Sequence, residues 1–165
     1  VGKLIAEASC VDFYVYDMNV YLAEYGRSLF FHGGKVANVL SATNIQGLQA
    51  SMPANGHIAI LISHTGENER LVEIAKMLRK NKTKVIVITS KLQGTLAPYA
   101  DELLYAAGQK KVVEFWSSMF FASGKYILDI LYGMEFSRRY EENLKLNKKY
   151  GQSGEKLLWG LIEDL

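Results

Sequence analysis

The feature that most constrains this chain is an alternation of short apolar runs with longer amphipathic ones. Runs rich in Val, Ile and aromatic residues recur at Val11 to Tyr16, Val36 to Leu40, Ile58 to Ile62, Val85 to Ile88 and Leu103 to Ala106. They are nearly continuous rather than alternating, as expected of strands in a parallel sheet covered by helices on both faces. Between them, Asn19 to Phe31 and Leu71 to Lys80 carry apolar residues at three- and four-residue spacing. In the second, Leu71, Ile74, Ala75 and Leu78 stand opposite Glu73, Lys76, Arg79 and Lys80, the pattern of an amphipathic crossover. Strand, helix and strand in alternation demand right-handed connections and a layered arrangement. The expected fold is an α/β, flavodoxin-like doubly wound sandwich with a five-stranded parallel sheet flanked by helices.

After the last strand, Val112 to Tyr132 reads as a long helix, with Val113, Trp116, Phe120, Ile127, Leu128 and Leu131 covering one sheet face. The segment from Glu135 to Tyr150 is rich in Arg, Lys and Glu, a solvated helix face. Beyond Gly151 to Gly154 a short helix, Lys156 to Leu165, is expected to pack or make a dimer contact through Leu157, Leu158, Leu161, Ile162 and Leu165. The 165 residues fit one domain, here 1–150, followed by that helix at 151–165.

Composition narrows the function classes. Hydrophobic residues are 49% and charged residues 22% of the chain, with two prolines, which fits a folded domain. A formal net charge of +2 is too mild for an electrostatic footprint on nucleic acid. The single Cys10 has no partner for a disulfide and no neighbouring ligand spacing, so neither a metal site nor a cofactor is expected, and a reducing, cytoplasmic setting is. No apolar run approaches the roughly 18 residues of a membrane span.

The most informative segment runs from Ile58 to Leu78, where I-A-I-L-I passes into S-H-T-G-E-N-E and then into the amphipathic helix. In doubly wound sheets ligands bind beyond the carboxyl ends of the strands. The residue types there suit an anion. Gly66 permits a left-handed backbone, Ser63 and Thr65 bring hydroxyl donors, Asn68 brings an amide, and the helix start is electropositive. Ser, Thr and Asn at such a place also cap helices, and the residues alone leave both roles open.

S-H-T-G-E-N at Ser63 to Asn68 resembles the phosphate loop Ser-x-Ser-Gly-x-Thr of the sugar isomerase (SIS) family, with Thr65 for the second Ser and Asn68 for the Thr. The likeness continues in family order through K-V-I-V-I-T-S at Lys84 to Ser90, L-A-P-Y-A-D at Leu96 to Asp101 and I-L-D-I-L-Y at Ile127 to Tyr132. The last block is most similar to RpiR-type bacterial regulators, which join an N-terminal helix-turn-helix to a C-terminal SIS domain. The resemblance implies a phosphosugar-binding effector domain that forms a homodimer or higher oligomer and reaches DNA only through a separate N-terminal domain. Residues 1–9, helix-like from Val1 to Ser9, would then be the end of a linker helix. Two alternatives are a sugar-phosphate aldose/ketose isomerase and a dimerisation module with a degenerate pocket.

The resemblance also marks a departure. The family's first strand ends in a Gly-x-Gly-x-Ser turn, which falls here on V-Y-D-M-N, Val15 to Asn19. Both glycines are absent. Asn19 can stand in for the serine, but Asp17 puts a carboxylate where the family has glycine, unless it caps the following helix instead. An isomerase would take Glu114, at the head of the long helix, as its base. His64 is a further contact candidate within the loop, and Ser90, with Thr89 and Lys91, offers groups to the sugar from the next strand. His32 and His57 read as an ordinary helix-end residue and a strand-entry residue.

Overall fold

The computed structural model describes residues 1–108 and 116–163. Glu114 and the expected helix start at Val112 and Val113 lie outside the described residues, as do the side chains of Trp116 and of the apolar stripe Leu157 to Leu165. A short helix, α1 (Gly2–Glu7), leads into β1 (Cys10–Tyr14), α2 (Asn19–His32), β2 (Val36–Leu40) and α3 (Thr43–Ser51). Then follow β3 (His57–Ile62), α4 (Glu69–Lys80), β4 (Lys84–Thr89), β5 (Glu102–Tyr105), α5 (Trp116–Arg138) and α6 (Tyr140–Glu163). The five strands form one parallel sheet in the order β2-β1-β3-β4-β5. That is the flavodoxin-like doubly wound order, whose switch point lies between β1 and β3.

The pleat sorts the core into two layers, because successive side chains of a strand point to opposite faces. Val11, Phe13, Ile58, Ile60, Ile62, Ile86 and Ile88 pack beneath α1, α2 and α5 with Leu22, Phe30, Phe120 and Leu128. On the other face Tyr14, Ala59, Leu61, Val85 and Val87 meet Leu71, Ile74 and Leu78 of α4. Helices α2 and α5 approach closely enough that a Cβ on Gly124 would lie 2.7 Å from Leu22, and one on Gly26 would lie 3.2 Å from Leu128.

Three features depart from the sequence reading. Helix α3 turns Ile45 and Leu48 outward and buries Gln46 and Ala50 instead; Gln46 Nε2 donates to the carbonyls of Val15 and Leu40, and Asn81 Nδ2 donates to those of Ala50 and Ser51. Strand β2 is an edge with Val36 and Asn38 exposed, so cover on both faces holds for the inner strands and not for it. Gly151 and Gly154 do not end a helix, because α6 runs through them as one element. A helix-interior glycine costs about 1 kcal/mol, and α6 has tertiary anchors: Asn147 donates to the His32 carbonyl at 3.0 Å, and the rings of Tyr150 and Phe31 lie 5.4 Å apart.

Candidate functional site

Three chain turns converge at the carboxyl ends of β1, β3 and β4. The central one, Ser63 to Asn68, is held by its own side chains. The Gly66 amide donates to Ser63 Oγ at 3.2 Å, the Glu67 amide to Thr65 Oγ1 at 3.3 Å and the Leu71 amide to Asn68 Oδ1 at 3.1 Å. Gly66 sits at φ 65°, in the left-handed region, and a Cβ there would meet Thr89 Oγ1 at 3.0 Å and the Lys91 carbonyl at 3.3 Å. Only glycine satisfies both demands. Asn68 is thus the side-chain cap of α4. Ser63 and Thr65 each accept one amide, and among the described residues neither hydroxyl proton is given to another acceptor. In the first turn of α4 the amides of Glu69 and Arg70 have no helical carbonyl to bond, so the helix start remains electropositive.

The β4 turn locks onto this loop. The His64 carbonyl accepts from the Ser90 amide at 3.0 Å, from Ser90 Oγ at 2.7 Å and from Thr89 Oγ1 at 3.2 Å. Ser90 therefore spends its hydroxyl proton on the loop backbone. Lys91 forms an ion pair with Glu67. The His64 ring stacks on Phe120 at 4.6 Å, and its Nε2 lies 2.9 Å from the Gly108 carbonyl. His64 thereby ties the phosphate-loop candidate to α5.

The β1 turn differs. Asp17 holds φ 53°, the left-handed conformation for which glycine is suited. Met18 is the N-cap of α2 and makes no side-chain cap bond, so the capping role weighed for Asp17 is not seen. Asp17 instead lines a cavity of about 900 Å³ together with Asn19, Tyr21, His64, Ser117 and Phe121. That volume suits a small-molecule ligand. Asn19 reaches toward the switch point, its Nδ2 3.5 Å from the Ile62 carbonyl. Lys125 lies on the same wall; its bond to Asp129 at 2.8 Å holds the ammonium pKa above its ordinary value.

Asp17, Asn19 and His64 thus meet on one cavity wall, while Ser63, Thr65, Gly66, Asn68 and Ser90 form the neighbouring loop unit and do not line that cavity. Ser117, Ser118 and Lys125 were not singled out from the sequence. Their signal is a pair of adjacent hydroxyls and a lysine two turns on along the described part of α5, all polar positions on a helix that reads from the sequence as apolar cover for the sheet.

Comparison with known proteins bears on the fold and the family. The HTH-type transcriptional regulator HexR of Escherichia coli (strain K12) is 28% identical over 87 residues, which cover 53% of this chain and 30% of that protein. The Vibrio vulnificus NanR protein, solved in complex with ManNAc-6P, superposes with a TM-score of 0.80 at 15% identity, over 90% of this chain and 57% of NanR. The sugar isomerase domain of an RpiR transcription factor from Sphaerobacter thermophilus superposes with a TM-score of 0.78 at 14% identity, over 92% of this chain and 83% of that one. A 3-hexulose-6-phosphate isomerase function has been inferred for another protein of this fold, MJ1247 of Methanococcus jannaschii. The chain spans under a third of HexR and somewhat over half of NanR. The SIS domain model matches residues 19–123, which take in β2 to β5, the loop and part of the cavity wall from Asn19 to Ala122 but not Asp17 or Lys125, and the chain belongs to the SIS domain family.

Proposed function

We propose that the carboxyl end of this sheet binds a phosphorylated sugar, and that the chain is the effector-sensing part of a bacterial transcription regulator. The observation that carries the reading is the convergence of the Ser63–Asn68 loop, the α4 N-terminus and the cavity beside Asn19 and His64. The hydroxyl protons of Ser63 and Thr65, with the helix start, offer donors to a phosphate. The cavity has room for the attached sugar. The regulators HexR and NanR, the latter solved with ManNAc-6P, support the effector role. With a net charge of only +2, DNA contact is assigned to another segment of the full protein.

Asp17 favours a weakened pocket, and so keeps the dimerisation module as a second reading. A carboxylate about 5 Å from a phosphate costs on the order of 3 kcal/mol at an effective dielectric near 20. A thermal-shift screen with hexose and pentose phosphates tests the main reading. At least one compound is expected to raise the melting temperature, and a coupled isomerase assay is expected to find no turnover. Turnover of about 1 to 1,000 per second, abolished by Glu114→Gln, would make the chain an isomerase. We further assign a homodimer, because Ile45 and Leu48 of α3 and Met52 just beyond it are exposed apolar residues that a partner would cover. Light scattering at tens of micromolar that finds only monomer would remove that assignment.

A further inference from the structure

At the opposite, amino end of the sheet lies a cluster that sugar binding does not use. Cys10 and Asp12 are two residues apart on β1, so their side chains leave the same face. The register sets His57 beside Cys10 on one flank and Asn38 beside Asp12 on the other. Cys10 and Asp12 are 4% and 2% exposed. His57 Nδ1 lies 2.8 Å from Asp12 Oδ2, Asn38 Nδ2 lies 2.8 Å from Asp12 Oδ1, and Cys10 Sγ lies 3.8 Å from that same oxygen. The thiol, carboxylate and imidazole donor atoms all fall within 4.8 Å of one another.

We propose that Cys10, Asp12 and His57 form a binding site for a zinc-class divalent transition-metal ion. Thiolate and imidazole are the donors that such an ion prefers, and a carboxylate is a common third. Tetrahedral zinc sets N, O and S donors about 3.3 to 3.6 Å apart, given bond lengths of about 2.0 to 2.3 Å. The Asp12–His57 contact therefore opens by about half an ångström and the thiol closes in, within the reach of χ rotations. A half turn of the Asn38 amide would present its oxygen as the fourth ligand.

Charge supports the assignment. Among the described residues Asp12 forms no ion pair with Lys or Arg; its direct partners are the Asn38 amide and the His57 ring, and the nearby buried Lys35 ammonium is paired with Glu135. The Cys10 thiol lies beside the Asp12 carboxylate, with Asn38 Nδ2 3.3 Å from its Sγ. A divalent cation would satisfy both acidic groups at once, the thiol releasing its proton to solvent as the metal–sulfur bond forms. His57, 19% exposed, provides the entry path.

The test is independent of sugar binding. Metal-stripped protein is titrated with Zn²⁺ by calorimetry and with Co²⁺ by absorption. About one equivalent is expected to bind, more tightly as pH rises, with a thiolate-to-cobalt charge-transfer band. Cys10→Ser and His57→Gln are each expected to weaken zinc binding at least about tenfold, and Asn38→Asp, on the exposed strand edge, to strengthen it. No saturable binding, binding indifferent to Cys10→Ser and His57→Gln, or cobalt binding without the sulfur band would each overturn the proposal. If either buried-site variant fails to fold, the cobalt spectrum and Asn38→Asp still decide.

Discussion

The two ends of the sheet are built by different means. At the carboxyl end the groups are backbone amides, hydroxyls and a helix start, gathered within the six residues from Ser63 to Asn68, and they suit an anion. At the amino end they are a thiol, a carboxylate and an imidazole, brought together by strand register from Cys10, Asp12 and His57, and they suit a cation. The first depends on backbone conformation and the second on side-chain identity. A parallel sheet thus offers electron-poor groups at one end, where its loops turn into helices. Electron-rich groups collect at the other only where polar side chains interrupt apolar strands.

This contrast predicts which changes hurt most. Gly66→Val puts a β-branched residue at φ 65° with its Cβ 3.0 Å from Thr89 Oγ1. It should cost about 3 kcal/mol in chemical denaturation and abolish sugar-phosphate binding. Asp12→Ala leaves His57 and Asn38 without their shared acceptor; about 2 kcal/mol is expected by the same measurement, with no effect on sugar-phosphate binding. A loss of such binding in Asp12→Ala would break the separation of the two ends. Asn68→Ala removes the α4 cap and should cost about 1 kcal/mol. Glu67→Gln breaks an exposed ion pair with Lys91 and should change stability by no more than about half a kcal/mol.

The same contrast explains what the sequence could reveal. The strands, the order of elements and the loop were legible because each is local: apolar runs mark strands, and Ser63 to Asn68 is contiguous. Helix α3 was not, since the residues it buries are a polar Gln46 and a small Ala50 while Ile45 and Leu48 face outward. The break expected at Gly151 to Gly154 did not occur, because a modest propensity cost yields to tertiary anchoring at Asn147 and Tyr150. At the amino end, ligand spacing around Cys10 is invisible in the sequence because Asn38 and His57 become its neighbours only through pairing register. The cavity wall was half legible. Asp17 and Asn19 follow from the alignment of turns, whereas Ser117, Ser118 and Lys125 reach the cavity only through the packing of α5 on α2.

The central claim is that the Ser63–Asn68 loop is an anion site whose strength is set by Asp17. Calorimetric titration of the sugar phosphates that shift the melting temperature, at fixed ionic strength, tests it directly. Asp17→Gly removes the carboxylate from the cavity wall and relieves a left-handed backbone, so affinity should rise about tenfold or more, equivalent to about 1.4 kcal/mol. Adding Thr65→Val should reverse much of that gain by deleting a donor while keeping the shape. If Asp17→Gly leaves affinity unchanged and Thr65→Val also has no effect, the loop serves only to cap α4 and the chain is a dimerisation module.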